Sequence, residues 1–150
     1  MIPEKSEAPE FTLLDETGTS RKLSDYRGKD VVLYFYPKDD TPGCTTEACA
    51  FRDDYSAYEK AGVVIIGLSA DSPKSHLKFK TKYGLPFTLL SDEDHKVCEA
   101  YGVWAIKKMM GREYMGILRT TYLISKEGLV KKVFADVKPA GHSQEILAAI

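Results

Sequence analysis

Cys44 and Cys49 lie five residues apart in the run Tyr36-Pro37-Lys38-Asp39-Asp40-Thr41-Pro42-Gly43-Cys44-Thr45-Thr46-Glu47-Ala48-Cys49, which holds two of the chain's three cysteines. Thiols at this separation can do redox chemistry, ligate a soft metal or simply pack. Metal ligation is disfavoured by the spacing: Cys-x₄-Cys lacks the x₂ pairing of zinc and iron–sulfur sites, and His76, His95 and His142 adjoin no cysteine motif. A glycine-rich phosphate loop is missing as well. The run reads as a redox site, with Cys44 as the reacting thiol and Cys49 as its partner, against the plainer reading of packed cysteines.

The flanking sequence says how those thiols are positioned. Val31 to Tyr36 is an apolar, β-rich run without polar alternation, which predicts a strand buried on both faces. Pro37 ends it, and Pro42-Gly43 breaks the chain again. Cys44, Ala48, Phe51, Tyr55 and Tyr58 then recur at helical spacing, predicting a helix from about Gly43 to Lys60. Cys44 therefore sits in the first turn of a helix, beyond the carboxyl end of a central strand, where α/β folds bind ligands. Free N–H groups and the helix dipole favour an anion there, which predicts a reactive, nucleophilic thiol. A buried, inert cysteine is the competing reading. Cys49 is turned roughly 140° from Cys44, with the Cα atoms roughly 8–9 Å apart. A disulfide needs less than about 7 Å, so joining the two requires the first turns of the helix to unwind.

These residues carry a resemblance. Pro37-x-x-x-Thr41-x-x-Cys44 resembles the active-site pattern of the peroxiredoxins. The run from Thr41 to Asp53 is similar to their bacterioferritin-comigratory, or Q-type, branch, as are Ala8-Pro9-Glu10-Phe11-Thr12-Leu13 and Arg119-Thr120-Thr121-Tyr122-Leu123-Ile124. The likeness spans essentially the whole chain. It implies that Cys44 is the peroxidatic cysteine and Cys49 the resolving one, and that Pro37 shapes the pocket with Pro42. Thr41 would offer its hydroxyl to the thiol or a bound peroxide. Arg119 would stabilise the thiolate and the peroxide oxygens, against the plainer reading of a strand-end arginine in water. Glu47, three residues past Cys44, is in register to hold that arginine; a solvated helix-start acid is the alternative. Cys98 reads as structural, and Trp104 as core packing in preference to the pocket mouth.

The implied activity is a thiol peroxidase acting on hydrogen peroxide and organic hydroperoxides. Its intramolecular disulfide would be recycled by thioredoxin or a similar dithiol, with no cofactor and no metal. The rivals are a thioredoxin-like disulfide reductase, which normally uses Cys-x-x-Cys, and a redox sensor or holdase. Composition is compatible: 150 residues predict one domain, and a net charge of −1 gives no case for nucleic acid or an acidic membrane. Neither a transmembrane run nor a signal-peptide apolar region is apparent, which predicts a cytoplasmic protein. The branch resemblance leans toward a monomer or weak homodimer.

In chain order, the pattern predicts a hairpin from Phe11–Leu14 and Thr19–Leu23, then the strand and helix above. A parallel strand, Val63–Ser69, leads to a helix from Pro73 to Tyr83 that buries Leu77, with Phe79 or the stem of Lys80 as further candidates. Phe87–Leu90 is a short strand, and the next helix carries Val97, Cys98 and Tyr101. Lys107 to Arg112 reads as a loop. Thr120–Ser125 and Leu129–Ala135 form a hairpin, and a terminal helix turns Ile146, Leu147 and Ile150 inward. The pattern alone predicts α/β with a mixed sheet. The resemblance implies a thioredoxin-like fold, a central mixed β-sheet flanked by helices with an N-terminal β-hairpin.

Overall fold

The apolar run after residue 30 forms the middle of the molecule. A computed structural model describes residues 1–150. In chain order its elements are β1 (Thr12–Asp15), β2 (Ser20–Lys22), a 3₁₀ turn (Leu23–Tyr26), β3 (Asp30–Phe35), α1 (Pro42–Asp53), α2 (Tyr55–Lys60), β4 (Val63–Ser69), α3 (Pro73–Tyr83), β5 (Thr88–Ser91), α4 (Lys96–Ala100), β6 (Trp104–Met109), β7 (Arg112–Ile117), β8 (Thr120–Ile124), β9 (Val130–Phe134) and α5 (His142–Ala149). Seven strands make one mixed sheet in the order β2-β1-β5-β4-β3-β8-β9. β3, β4 and β5 are parallel, whereas β8 and β1 run antiparallel to their neighbours.

β3 lacks polar alternation because both of its faces are covered. Val32 and Tyr34, with Tyr36 just beyond, enter one core with Ala48, Phe51 and Tyr58 of α1 and α2. Val31, Leu33 and Phe35 enter the other with Cys98, Tyr101 and Tyr122. Each such large apolar side chain contributes about 1.5–3 kcal/mol by leaving water. Tyr34 lies over Gly67 of β4, where a Cβ would fall 2.9 Å from the tyrosine oxygen. Only glycine fits beneath that ring.

Four expectations are corrected. The predicted helix from Gly43 to Lys60 breaks at Asp54, whose φ of −95° and ψ of 6° separate α1 from α2. Asp54 is held from outside, its Oδ2 accepting the Ser143 hydroxyl at 2.8 Å. In α3, Leu77 is 47% exposed, while His76 and Phe79 point inward. A polar network fixes His76 there and turns its neighbour out. Ile150 follows the last turn of α5 and is exposed. Finally, residues 107–112 are no loop. β6 and β7 pair antiparallel as a separate two-stranded ribbon, with Met109 opposite Arg112. Met110 and Gly111 make its two-residue turn at φ 52° and 79°, both left-handed as a primed hairpin turn requires.

Candidate active site

Cys44 is held where strand, loop and helix meet. Thr41 is the extended N-cap of α1 and Pro42 opens its first turn, so Cys44 is the third helical residue. The first helical bond runs from the Thr45 N–H to the Thr41 carbonyl at 2.8 Å. The amides before it belong to the positive end of the helix. The Cys44 side chain is 1% exposed.

Arg119 arrives from the opposite edge of β3. Phe35 pairs with Thr120 across the β3–β8 ladder, which sets Arg119 beside the start of the active-site loop. Its Nη2 donates to Cys44 Sγ at 3.4 Å and its Nη1 to Glu47 Oε1 at 2.8 Å. Burial works against the Arg119 charge, but Cys44 and Glu47 together raise its pKa. Glu47, one turn along α1, is 1% exposed, and its Oε2 has no hydrogen-bond partner. Burial pushes its carboxyl up to about 7, with Arg119 pulling the other way.

Pro37, Thr41, Cys44 and Arg119 line one side of a cavity of about 460 Å³. Trp104, Met109, Tyr114 and Met115 of the β6–β7 ribbon form the other side. Its wall is mainly apolar around one thiol, the Arg119 guanidinium and the side chains of Lys38 and Lys107. A larger groove of about 780 Å³ lies elsewhere, among Lys5, Lys29, Asp30 and Lys126, and contains no thiol. Chemistry, rather than size, selects the smaller one.

The predicted site residues fall out unevenly. Pro37, Thr41, Cys44 and Arg119 share the cavity, and Glu47 braces the arginine from beneath. Thr41, expected to bond the thiol or a bound peroxide, donates its only hydroxyl hydrogen to the Lys38 carbonyl at 2.8 Å. Its oxygen keeps lone pairs that can accept. Cys49 is a free, half-buried thiol on the same helix and does not line the cavity. Cys98 is fully buried, and burial followed by Asp92 pushes its thiol far above the ordinary range. Trp104, expected to pack in the core, is half-buried against one core and also lines the cavity, stacking on His95 at 4.0 Å.

Sequence reasoning missed Lys107, which lines the cavity and donates to the Ile117 carbonyl at 3.0 Å. Burial, then the like charge of Arg119, lowers its pKa. It also missed the cluster of Asp39, Asp71 and His76, whose donor atoms lie within 4.8 Å of one another. All three residues are already engaged in hydrogen bonds. Residues 104–109 carry no strict alternation, so Gly111 at the turn is the one signal that could have revealed the ribbon.

A mixed sheet carrying a cysteine at a helix N-terminus, with a half-buried arginine on the sulfur, defines a thioredoxin-fold thiol enzyme. Residues 5–133 match the AhpC/TSA family. The Bacillus subtilis peroxiredoxin Bcp is 53% identical over 143 residues, 95% of this chain and 91% of that one. The Xanthomonas campestris bacterioferritin comigratory protein, solved as trapped intermediate and ligand complexes bearing on alkyl peroxide reduction, superposes with a TM-score of 0.91. It is 42% identical, with 98% of this chain and 96% of that one covered. A cysteine-to-serine mutant of Xylella fastidiosa PrxQ gives a TM-score of 0.94 at 35% identity, with coverage of 99% and 95%. The chain belongs to the AhpC/TSA family, in its Bcp/PrxQ peroxiredoxin branch. It is a thiol peroxidase.

Proposed function

We propose that Cys44 is the peroxidatic thiolate and that Arg119 is its electrophilic partner. The observation carrying this reading is the 3.4 Å contact between Arg119 Nη2 and Cys44 Sγ at the floor of an apolar cavity. The thiolate attacks the terminal oxygen of a hydroperoxide. The O–O bond breaks, Cys44 becomes a sulfenic acid, and the departing alkoxide or hydroxide takes a proton to leave as alcohol or water. Arg119 stabilises the charge that develops on the peroxide oxygens. Thr41 accepts a hydrogen bond from the incoming hydroperoxide, and Pro37 keeps water from the sulfur.

Cys49 resolves the sulfenic acid. Its thiol displaces water from Cys44, forming an intramolecular disulfide once α1 unwinds. Thioredoxin or a similar dithiol returns both sulfurs to thiols by exchange. The substrates are hydrogen peroxide and organic hydroperoxides. The apolar wall favours the latter, in keeping with the alkyl peroxide reduction associated with the Xanthomonas protein. The working form is a cytoplasmic monomer or weak homodimer, and no helix is long and apolar enough to cross a membrane. A protein disulfide reductase fits less well, because a sulfur 1% exposed offers little to a protein disulfide.

Non-reducing peptide mapping after one equivalent of hydrogen peroxide tests the cycle. A rapid Cys44–Cys49 crosslink is the expected product. A Cys44–Cys98 or intermolecular crosslink would remove Cys49 from its role, and an unreacted Cys44 would remove the mechanism.

A further inference from the structure

Both cysteines belong to α1, so their union requires that helix to open. How far the opening spreads depends on what holds its two ends. The loop before Cys44 is tied down at two successive residues. The Asp39 carboxylate accepts from Tyr36 Oη at 2.6 Å and Ser75 Oγ at 2.8 Å, and faces His76 Nδ1 at 2.7 Å. The Asp39 N–H donates to Asp71 Oδ2 at 2.9 Å. Asp40 takes Lys82 Nζ and Tyr83 Oη, each at 2.7 Å, and holds a left-handed φ of 54°.

His76 is the hub of these contacts. It is fully buried, and its Nε2 lies 2.9 Å from the Leu90 carbonyl, which can only accept. Nε2 must therefore carry the hydrogen of that bond. The ring joins the loop to α3 and to β5 at once. At the far end of α1, Asp54 is fixed by Ser143 of α5. Between these two points α1 is a separate twelve-residue element.

We propose that the Asp39–His76 pair is a latch that confines the redox opening to α1. It makes Cys44 the stationary sulfur and Cys49 the one that travels. His76 is thus a positioning residue for resolution, acting through Asp39 and touching no substrate. This rests on the assignment of Cys44 and Cys49 above. The step itself is balanced: Cys44–SOH and Cys49–SH give the disulfide and water. Cys44 lies only four residues beyond Asp40 and stays near Arg119, whereas Cys49 is freed as the turns from Thr45 onward unwind.

Hydrogen exchange followed by mass spectrometry compares the reduced full-length protein with the same protein after one equivalent of hydrogen peroxide. Peptides covering 42–53 should lose protection on oxidation, while those covering 36–41, including the Asp39 amide, keep theirs. If the disulfide forms and 36–41 loses protection as much as α1, the latch is overturned and the peroxidase cycle stands. If the Cys44–Cys49 disulfide never forms, the cycle fails and takes the latch with it.

Two variants test the same point kinetically. Loosening the latch with His76→Asn, or with the milder Ser75→Ala should the first fail to fold, lets the loop open too. Disulfide formation from the sulfenic acid should then rise, and sulfinic acid per turnover at high peroxide should fall. The expected change in each is roughly 2- to 30-fold, the range for mutations that alter a packed coupling network. A merely structural role would lower thermal stability and leave that partition where it was, an outcome that overturns the proposal.

Discussion

The buried Glu47 and the half-buried Arg119 form an ion pair, 2.8 Å between Oε1 and Nη1, one helical turn from Cys44. The arginine thus holds a carboxylate more closely than it holds the sulfur, 3.4 Å away. Its planar fork makes this possible: two nitrogens of one guanidinium serve two acceptors in fixed directions. Lysine has the charge without the fork. Arg119→Lys should therefore lower the second-order rate of Cys44 oxidation by roughly 10²-fold, as loss of one preorganised donor to a developing anion does. Stopped-flow mixing with hydrogen peroxide measures it, and a rate near wild type would leave Arg119 a purely structural brace.

The pH dependence of stability follows from Glu47. Its folded carboxyl is pushed up to about 7 from an ordinary 4.5, burial outweighing Arg119. The folded state therefore binds its proton more tightly than the unfolded state does. The stabilisation from this group is full below about pH 4.5 and is lost as pH rises through about 7. Glu47→Gln keeps an acceptor for Arg119 and has no proton to lose. Urea midpoints should shift in favour of the variant as pH rises across that window. A gap between the two proteins that stays constant with pH would show that Glu47 does not titrate there.

Cys49→Ser separates the two halves of the cycle. Cys44 should still be oxidised, since Cys49 does not line the cavity. The sulfenic acid should then persist, be trapped by a dimedone-type reagent and go on to sulfinic acid as peroxide is added. Turnover coupled to a protein dithiol should fall to background. Full turnover in this variant would move the resolving role to another thiol.

Legibility of the fold tracked burial. β3 and the start of α1 were readable because apolar runs and helical spacing are set by the cores that receive them, with Phe51 and Tyr58 fully buried. The β6–β7 ribbon escaped because only its base reaches a core, through Ile117 and the half-buried Trp104; Ile106, Met109 and Met115 are exposed, so most of its apolar residues mark no inner face. Its turn, Met110-Gly111, has only one of the residues that usually announce a primed turn. His76 displaced Leu77 as the inward residue of α3 through a partner 37 positions away, which local periodicity cannot register. Glu47 was visible as a helix neighbour of Cys44 at i+3, yet its burial and its partnerless Oε2 depend on Arg119 arriving from a distant strand end.

The cavity wall should discriminate among peroxides. Tyr114 and Met115 can touch only a substrate that reaches beyond the reacting oxygens. Truncating them together to alanine should lower the ratio of cumene hydroperoxide to hydrogen peroxide oxidation rates by about tenfold, the lower end of what a lost apolar contact gives in discrimination. Paired stopped-flow rates give the ratio directly. An unchanged ratio would place the organic group of the substrate elsewhere.

Gly43 tests how finely the arginine is placed. A Cβ there would lie 3.1 Å from Arg119 Nη2 and 3.5 Å from Pro139. The guanidinium would have to retreat by a few tenths of an ångström, away from Cys44. Alanine also suits a helix better than glycine, by about 1 kcal/mol at interior positions. Gly43→Ala should therefore keep or slightly raise the melting temperature while slowing Cys44 oxidation by roughly 3- to 10-fold, since an ångström of misplacement costs about 10²-fold. Stability and rate moving in opposite directions is the signature sought. A variant that is both as stable and as fast as wild type would mean that Arg119 accommodates the methyl without losing its hold on the sulfur.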